Sequence, residues 1–428
     1  MSSLVIGYAG LTHLGINSAV ASAARGFQVI GYSDDPALVI NLNRGELPIG
    51  EPQLYELLMG NNSRITFSSS PACLASCDIV YISVDVPTNE LGVSDLASVH
   101  CMIETVTASM PADALLVVLC QVPPGFTRLV NWPLVQLYYQ VETLVFGHAV
   151  QRALHPERFI LGCALPLQSV DTRLLRFLQA FDCPILPMRY ESAELAKIAI
   201  NMFLAASVTT ANTLAELCEE IGADWAEIVP SLRLDKRIGN HAYIAPGLGI
   251  AGGNLERDLA TVIQFAQKYC TDASSIAASI AYSSYCKDWA WRKLSKFVLL
   301  HNPHAQICVL GLTYKEDTRS TKNSAALFLL KHLTPGNVTA FDPEAAIDAA
   351  GRGIRRMPTV LDALAGADVL LIMTPWKQFH DITVDDLKDT MRGTIVIDPY
   401  RMLGRTALQA SGFTYITLGA PVGLAVEG

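Results

Sequence analysis

Short apolar runs alternate with amphipathic stretches over the first third of the chain. Residues 4–9 read as a strand, 16–25 as an alanine-rich helix and Gln28–Tyr32 as a second strand, with later strands at 78–84 and 114–120. These runs lack strict alternation and are separated by helices. That pattern belongs to a parallel sheet covered on both faces. It predicts a doubly wound, Rossmann-like α/β domain. From 192 to 228 the period changes: apolar residues recur three and four apart, with many alanines and few glycines, so the stretch reads as helix. A glycine-rich loop, Pro246-Gly-Leu-Gly-Ile-Ala-Gly-Gly253, leads into a second helical stretch over 255–300, broken near Thr271-Asp272. After His301-Asn-Pro303 the strand and helix alternation returns. Strands are expected at 306–310, Val338–Phe341, 368–373 and 394–397, each followed by turn chemistry at Gly311, Asp342-Pro343, Pro375 and Asp398-Pro399. The expected organisation is an α/β domain over 1–190, a helical middle over 191–300 and a second α/β domain over 301–428. The sequences of the two α/β halves do not resemble each other.

A length of 428 residues exceeds one ordinary domain. With 51% hydrophobic and 17% charged residues the chain is globular and has ample core material. A formal net charge of −9 argues against a nucleic-acid partner, which calls for a basic patch or stripe. It leaves room for a local basic pocket around one diphosphate. The 10 cysteines, from Cys73 to Cys308, form no C-x-x-C pair and no Cys/His cluster with zinc spacing. Free thiols in a reducing cytoplasm and no metal are expected. The segment MSSLVIGYAG has no basic n-region or cleavage site and reads as a first strand, not a signal peptide. No uninterrupted apolar run reaches the length of a membrane span. The expectation is a soluble, cytoplasmic protein without a membrane partner.

Gly10-Leu-Thr-His-Leu-Gly15 follows the first strand and opens a helix. It is close to the dinucleotide fingerprint G-x-G-x-x-G, with Thr12 in place of the middle glycine. In the intact motif the glycines allow a tight turn and a close backbone approach to a pyrophosphate resting on the helix N-terminus. A threonine Cβ crowds that approach. The carboxylate that reads the ribose belongs about 20 residues on. There the chain has Gly31-Tyr-Ser-Asp-Asp35, so the acidic position falls on Ser33, with Asp34 one place late. Arg44 lies too far along for a 2′-phosphate partner, which favours NAD over NADP. The motif alone also fits a strand–turn–helix without a ligand.

More specific segments follow. Asn41-Leu-Asn-Arg-Gly-Glu-Leu-Pro-Ile-Gly-Glu-Pro-Gln-Leu-Tyr-Glu-Leu57 resembles the UDP-glucose/GDP-mannose 6-dehydrogenase family. So do Val86-Pro-Thr88, Val122-Pro-Pro-Gly125, His155-Pro-Glu-Arg-Phe-Ile-Leu-Gly162, Glu194-Leu-Ala-Lys-Ile-Ala-Ile-Asn201, Asp235-Lys-Arg-Ile-Gly239 and Gly311-Leu-Thr-Tyr-Lys315, all in family order. The resemblance implies an N-terminal NAD domain, a helical middle that makes a homodimer, and a C-terminal domain that grips the nucleotide diphosphate of a sugar nucleotide, a UDP-sugar before others. It implies oxidation of a sugar C6 alcohol to a carboxylate with two NAD. A cysteine captures the intermediate aldehyde, and the second oxidation gives a thioester that water hydrolyses.

The family's cysteine loop, of G-G-S-C-x-P-K-D type, corresponds to Gly249-Ile-Ala-Gly-Gly-Asn-Leu-Glu-Arg-Asp258. The cysteine position is Asn254, the lysine is Arg257 and the aspartate is kept as Asp258. An amide is not a competent nucleophile, and no cysteine lies close by in sequence. Cys218 and Cys270 fall in helical stretches and read as core residues. By the same resemblance Glu142 is the acid/base, and Lys197 and Asn201 share a helix face, bind the reacting hydroxyls and stabilise an oxyanion. A solvated Lys–Asn pair is the plainer alternative. On the cofactor side stand Gly10, Thr12, Leu14, Gly15, Ser33, Asp34, Pro87, Thr88 and Gln121. Lys322 replaces an arginine there, and the two are not equivalent for bidentate contacts. Arg237, Tyr243, Gly249, Gly252 and Lys315 are the expected substrate contacts, with Arg237 reaching across the dimer.

Two readings follow. The first is an NAD-dependent oxidoreductase on a nucleotide sugar that stops at the aldehyde because the nucleophile is absent. The second is a nucleotide-sugar-binding pseudoenzyme with a scaffold or regulatory role. A third places transient oxidation within an epimerisation or elimination.

Overall fold

The computed structural model describes residues 4–423 apart from 88, 90–92, 167–169 and 347, and does not describe the side chain of Asn254. Two compact units emerge, Met1–Ile200 and Asn201–Gly428.

The first unit is built on β1 (Val5–Ala9), β2 (Gln28–Tyr32), β3 (Ile65–Ser68), β4 (Ile79–Ile82), β5 (Leu115–Val118), β6 (Leu137–Gln140), β7 (Phe159–Cys163) and β8 (Ile185–Arg189). Their order is β3-β2-β1-β4-β5-β6-β7-β8. Every pairing is parallel except β6 with β7. Side chains alternate between faces. Tyr81, Leu115 and Val117 pack with Ile16 and Val20 of the helix His13–Ala24 on one face. Val80, Ile82, Leu116 and Val118 pack with Val99, Ile103 and Val106 of the helix Ala97–Ser109 on the other. Both faces of the central strands are therefore buried, as their unbroken apolar runs predict. The order reverses between β1 and β4, which opens a crevice at their carboxyl ends.

The second unit carries β9 (Ile307–Leu310), β10 (Val338–Phe341), β11 (Arg355–Arg356), β12 (Val369–Ile372), β13 (Ile395–Ile397) and β14 (Thr414–Ile416). The sheet is parallel throughout, in the order β11-β10-β9-β12-β13-β14. This repeats the order of β3-β2-β1-β4-β5-β6, an echo that the sequences hide. The echo reaches single residues. Gly10 (φ 103°) and Gly311 (φ 90°) each follow the first strand. Each donates its N–H to the end of the neighbouring strand, to Tyr32 O at 2.9 Å and Phe341 O at 2.8 Å. Trp225, Leu248, Trp289 and Leu294 share one core with Ile307, Val309 and Val369 of this sheet.

The helical stretches break where backbone chemistry dictates. Tyr190–Ile221 and Trp225–Leu234 are separate helices. Gly222, at φ 81°, ends the first, and Asp224 caps the second by accepting the N–H of Ala226. Asn254–Tyr269 and Ser274–Lys287 part at Cys270, whose left-handed φ of 55° ends the helix just before the expected break. Cys270 is exposed, so the expectation of a core role fails for it; Cys218 is buried as expected. Tyr190–Ile221 is long and apolar enough to cross a membrane by length and composition. Its Glu194 and Lys197 are hydrogen-bonded to folded parts of the first unit, as suits a packed helix.

Candidate active site

The crevice between β1 and β4 is where the dinucleotide turn sits. A Cβ on Gly10 would stand 2.6 Å from Val84 Cγ1 and 2.7 Å from Val84 N, and one on Gly15 would collide with Gly10 O. Both glycines are therefore demanded by the turn and by the close approach of helix to strand. Thr12 is different. Its φ is −84° and ψ −174°, ordinary extended backbone, and it stands at the N-cap position of the helix His13–Ala24 without a side-chain capping bond. Its hydroxyl donates to Ser83 O at 2.9 Å, so the threonine is built into the turn without backbone strain. Leu14 is half-buried and packs against the core. At the end of β2, Ser33 is buried, and its Oγ accepts the N–H of Asp35 at 3.3 Å. Asp35 caps the next helix by taking the N–H of Ala37 and Leu38. Asp34 is exposed beside them. Pro87 is exposed, Gln121 is half-buried just past β5, and Thr88 lies outside the described residues. A cradle whose glycines a Cβ would fill, a helix N-terminus and a carboxylate past β2 together fit a dinucleotide.

Past β6, Glu142 meets Lys197 of the helix Tyr190–Ile221. Lys197 Nζ donates to Glu142 O at 2.8 Å and lies 3.4 Å from Oε2, with the two side chains 16% and 19% exposed. Oε1 of Glu142 takes the N–H of Leu144. An amine and a carboxylate in contact and partly shielded from water have the chemistry to pass a proton between them. Nearby, Glu194 is fully buried and accepts the N–H of Gly125 at 2.5 Å and of Thr127 at 2.8 Å. Burial pushes its carboxyl above the usual range despite these bonds.

In the second unit the glycine loop runs into the helix Asn254–Tyr269, so Asn254 is that helix's first residue. Asp258, one turn on, is 1% exposed; it takes an N–H from Asn201 Nδ2, and its Oδ1 lies 3.5 Å from Arg257 Nε. Gly249 (φ 79°) presses against Ser283, and a Cβ on Gly252 (φ 98°) would lie 2.8 Å from the Tyr314 ring. Gly252 N donates to Lys322 O at 3.1 Å, and the Lys322 side chain lies beside Gly253. The expected cofactor residue Lys322 thus joins the loop that precedes Asn254. Sequence reasoning missed the residues that hold this loop. Asn212 accepts Gly247 N at 2.7 Å, Ser283 accepts Ile250 N at 2.7 Å, and Glu256 pairs with Lys287 at 3.2 Å and with Asn323. Contacts between residues so distant in sequence leave no local signal. Cys286 also sits here, its sulfur 3.5 Å from Asn212 Nδ2. Burial pushes its thiol up, away from the thiolate a nucleophile needs. Lys315 is half-buried and Tyr243 exposed. Arg237 has an 89% exposed side chain paired with Asp235 at 2.6 Å.

Two parallel α/β sheets of one strand order and a dinucleotide turn define a nucleotide-binding protein. The comparisons with known proteins make the class specific. Three domain models of the UDP-glucose/GDP-mannose dehydrogenase family match: the NAD binding domain over residues 4–173, the central domain over 191–283 and the UDP binding domain over 308–405. The chain belongs to this family of NAD-dependent nucleotide-sugar dehydrogenases, and NAD is its cofactor. It is 27% identical to the UDP-glucose 6-dehydrogenase TuaD of Bacillus subtilis over 96% of this chain and 92% of the relative. It is 29% identical to a UDP-glucose 6-dehydrogenase of Pseudomonas aeruginosa, over 96% of each. Among solved structures, the UDP-glucose dehydrogenase of Pyrobaculum islandicum superposes with a TM-score of 0.82 at 26% identity and 98% coverage of both chains.

Proposed function

We propose that the protein oxidises a CH–OH group of a nucleotide-activated sugar, a UDP-sugar before others, to the aldehyde and stops there. Bound NAD would supply the acceptor for the hydride of the carbinol carbon. The chain's own residues handle the rest. Lys197 presents an ammonium to the carbinol oxygen, and Glu142 takes the hydroxyl proton, so one C–H and one O–H bond break as the carbonyl forms. Asp258, buried and bonded to Asn201, orients that amide toward the sugar. Arg237, Tyr243, Lys315 and the loop at Gly249 and Gly252 hold the sugar nucleotide, and Gly10, Gly15, Asp34, Gln121 and Thr88 serve the dinucleotide. The observation that carries the two-electron limit is Asn254 at the head of the helix after Gly253. Its amide nitrogen is delocalised and cannot add to an aldehyde and leave again as a thiolate does.

The setting we infer is a cytoplasmic homodimer. Phe203, Leu217, Ile221 and Leu234 of the second unit are exposed by 78%, 51%, 66% and 81%, large apolar side chains that a partner would cover. The test is Asn254→Cys. The variant is expected to form some sugar acid, with the wild type forming none. Acid from the wild type would overturn the two-electron limit. Sugar-nucleotide binding without any NADH would instead support a binding pseudoenzyme; the unstrained Thr12 turn and the retained Lys197–Glu142 pair count against that reading.

A further inference from the structure

The turn that opens the helix His13–Ala24 is tied to the loop that carries Glu142, and the tie runs through residues that the dehydrogenase chemistry leaves unused. His13, the first residue of that helix, approaches Glu51 through Nε2 at 2.7 Å. The Glu51 side chain is 1% exposed and that of His13 14%. The same carboxylate accepts the N–H of Gly147 at 3.0 Å and of Ala149 at 3.3 Å. The imidazole also lies on the Phe146 ring, with centroids 4.1 Å apart. The segment 141–149 is thus gripped at one end by Glu51 and His13. At the other end Lys197 holds Glu142 O, and Arg152 Nε holds Thr143 O at 2.7 Å. A carboxylate only accepts, so it suits three N–H groups at once; an amide in its place would turn a donor against one of them. Removing it leaves buried donors without a partner.

We propose that His13 and Glu51 are positioning residues that couple the dinucleotide turn to the Glu142 loop, so that filling the turn with NAD steadies the proton acceptor. This rests on the reading of Glu142 given above. The geometry supplies the mechanism. His13 is adjacent to Thr12 in the turn, and a shift of the helix N-terminus on binding reaches Gly147 and Ala149 through one shared carboxylate.

The test follows backbone hydrogen exchange over 143–149 in the full chain, with and without NAD, alongside calorimetric titration of NAD. In the wild type, NAD is expected to slow exchange in this segment by about tenfold or more, as local opening becomes costlier. His13→Leu is expected to bind NAD with a loss of less than about tenfold and to abolish the slowing, whereas His13→Gln, which keeps a donor toward Glu51, restores it. Glu51→Gln, a second variant, is expected to speed exchange at 147 and 149 even without NAD. Unchanged slowing in His13→Leu would overturn the proposal. So would NAD binding to the wild type without any slowing, and that result leaves the function proposed above intact, since aldehyde formation is measured separately. A folded wild type that binds no NAD would overturn both.

Discussion

Thr12 has φ −84° and spends its hydroxyl on Ser83 O, so the second position of the turn asks for no glycine. Gly10 does ask for one, with φ 103° and Val84 backbone in the way of a Cβ. Gly10→Ala is therefore expected to destabilise the protein by roughly 1–3 kcal/mol and to remove NAD binding, as read by denaturant unfolding and titration calorimetry. Lys197→Met keeps the helix but takes the ammonium from Glu142. NADH formation is expected to fall by about 10²–10⁴ with an unchanged circular dichroism spectrum; a variant as active as the wild type would remove Lys197 from the chemistry. At this scale the glycine turn was legible from local spacing, whereas Glu142 and Lys197 were singled out only by the family resemblance, and the structure places the two in contact. His13, Glu51, Asn212 and Glu256 stayed hidden, because each acts through a partner tens of positions away.

Strands buried on both faces, such as β1, β4 and β12, announce themselves as apolar runs. Others do not. β8 contains Pro187 and forms a half-exposed sheet edge, and β11 is two arginines at the opposite edge of the second sheet. β6 and β7 owe their place to an antiparallel pairing that no single run encodes. The turn after β10 shows what one side chain does for an element. Asp342 is buried and accepts the N–H groups of Leu312, Thr313, Glu344 and Ala345 and the indole N–H of Trp376. Burial alone pushes its carboxyl up, but the backbone N–H groups of Leu312, Ala345, Thr313 and Glu344 together outweigh it and hold the pKa below the usual value. A carboxyl depressed in the folded state binds fewer protons than in the unfolded chain. Its stabilisation is therefore present above the unfolded value, about 3.9, and is lost as pH falls through the lower folded one. Asp342→Asn is expected to cost about 1–3 kcal/mol at neutral pH and to show a shallower loss of stability below about pH 4 than the wild type. Parallel acid limbs in the two unfolding series would contradict this.

Over the whole chain, apolar and helical periodicity made the succession of sheet, helices and sheet legible, while the matching strand order of the two sheets was not. Packed interiors accept many sequences of the right pattern, so topology outlasts sequence likeness. The proposed dimer is expected to sediment at twice the 46.3 kDa of one chain. Phe203→Glu combined with Leu217→Glu is expected to yield a folded monomer, since charges replace exposed apolar side chains. A monomeric wild type would remove the dimer from the account. The central claim is that an NAD-dependent dehydrogenase with Asn254 at the nucleophile's place completes a single oxidation. It is tested most directly by counting NADH formed per sugar nucleotide consumed, over a panel of UDP- and GDP-sugars with an aldehyde trap present. The account predicts a single NADH per sugar and a trapped sugar aldehyde; two NADH and a sugar acid would contradict it.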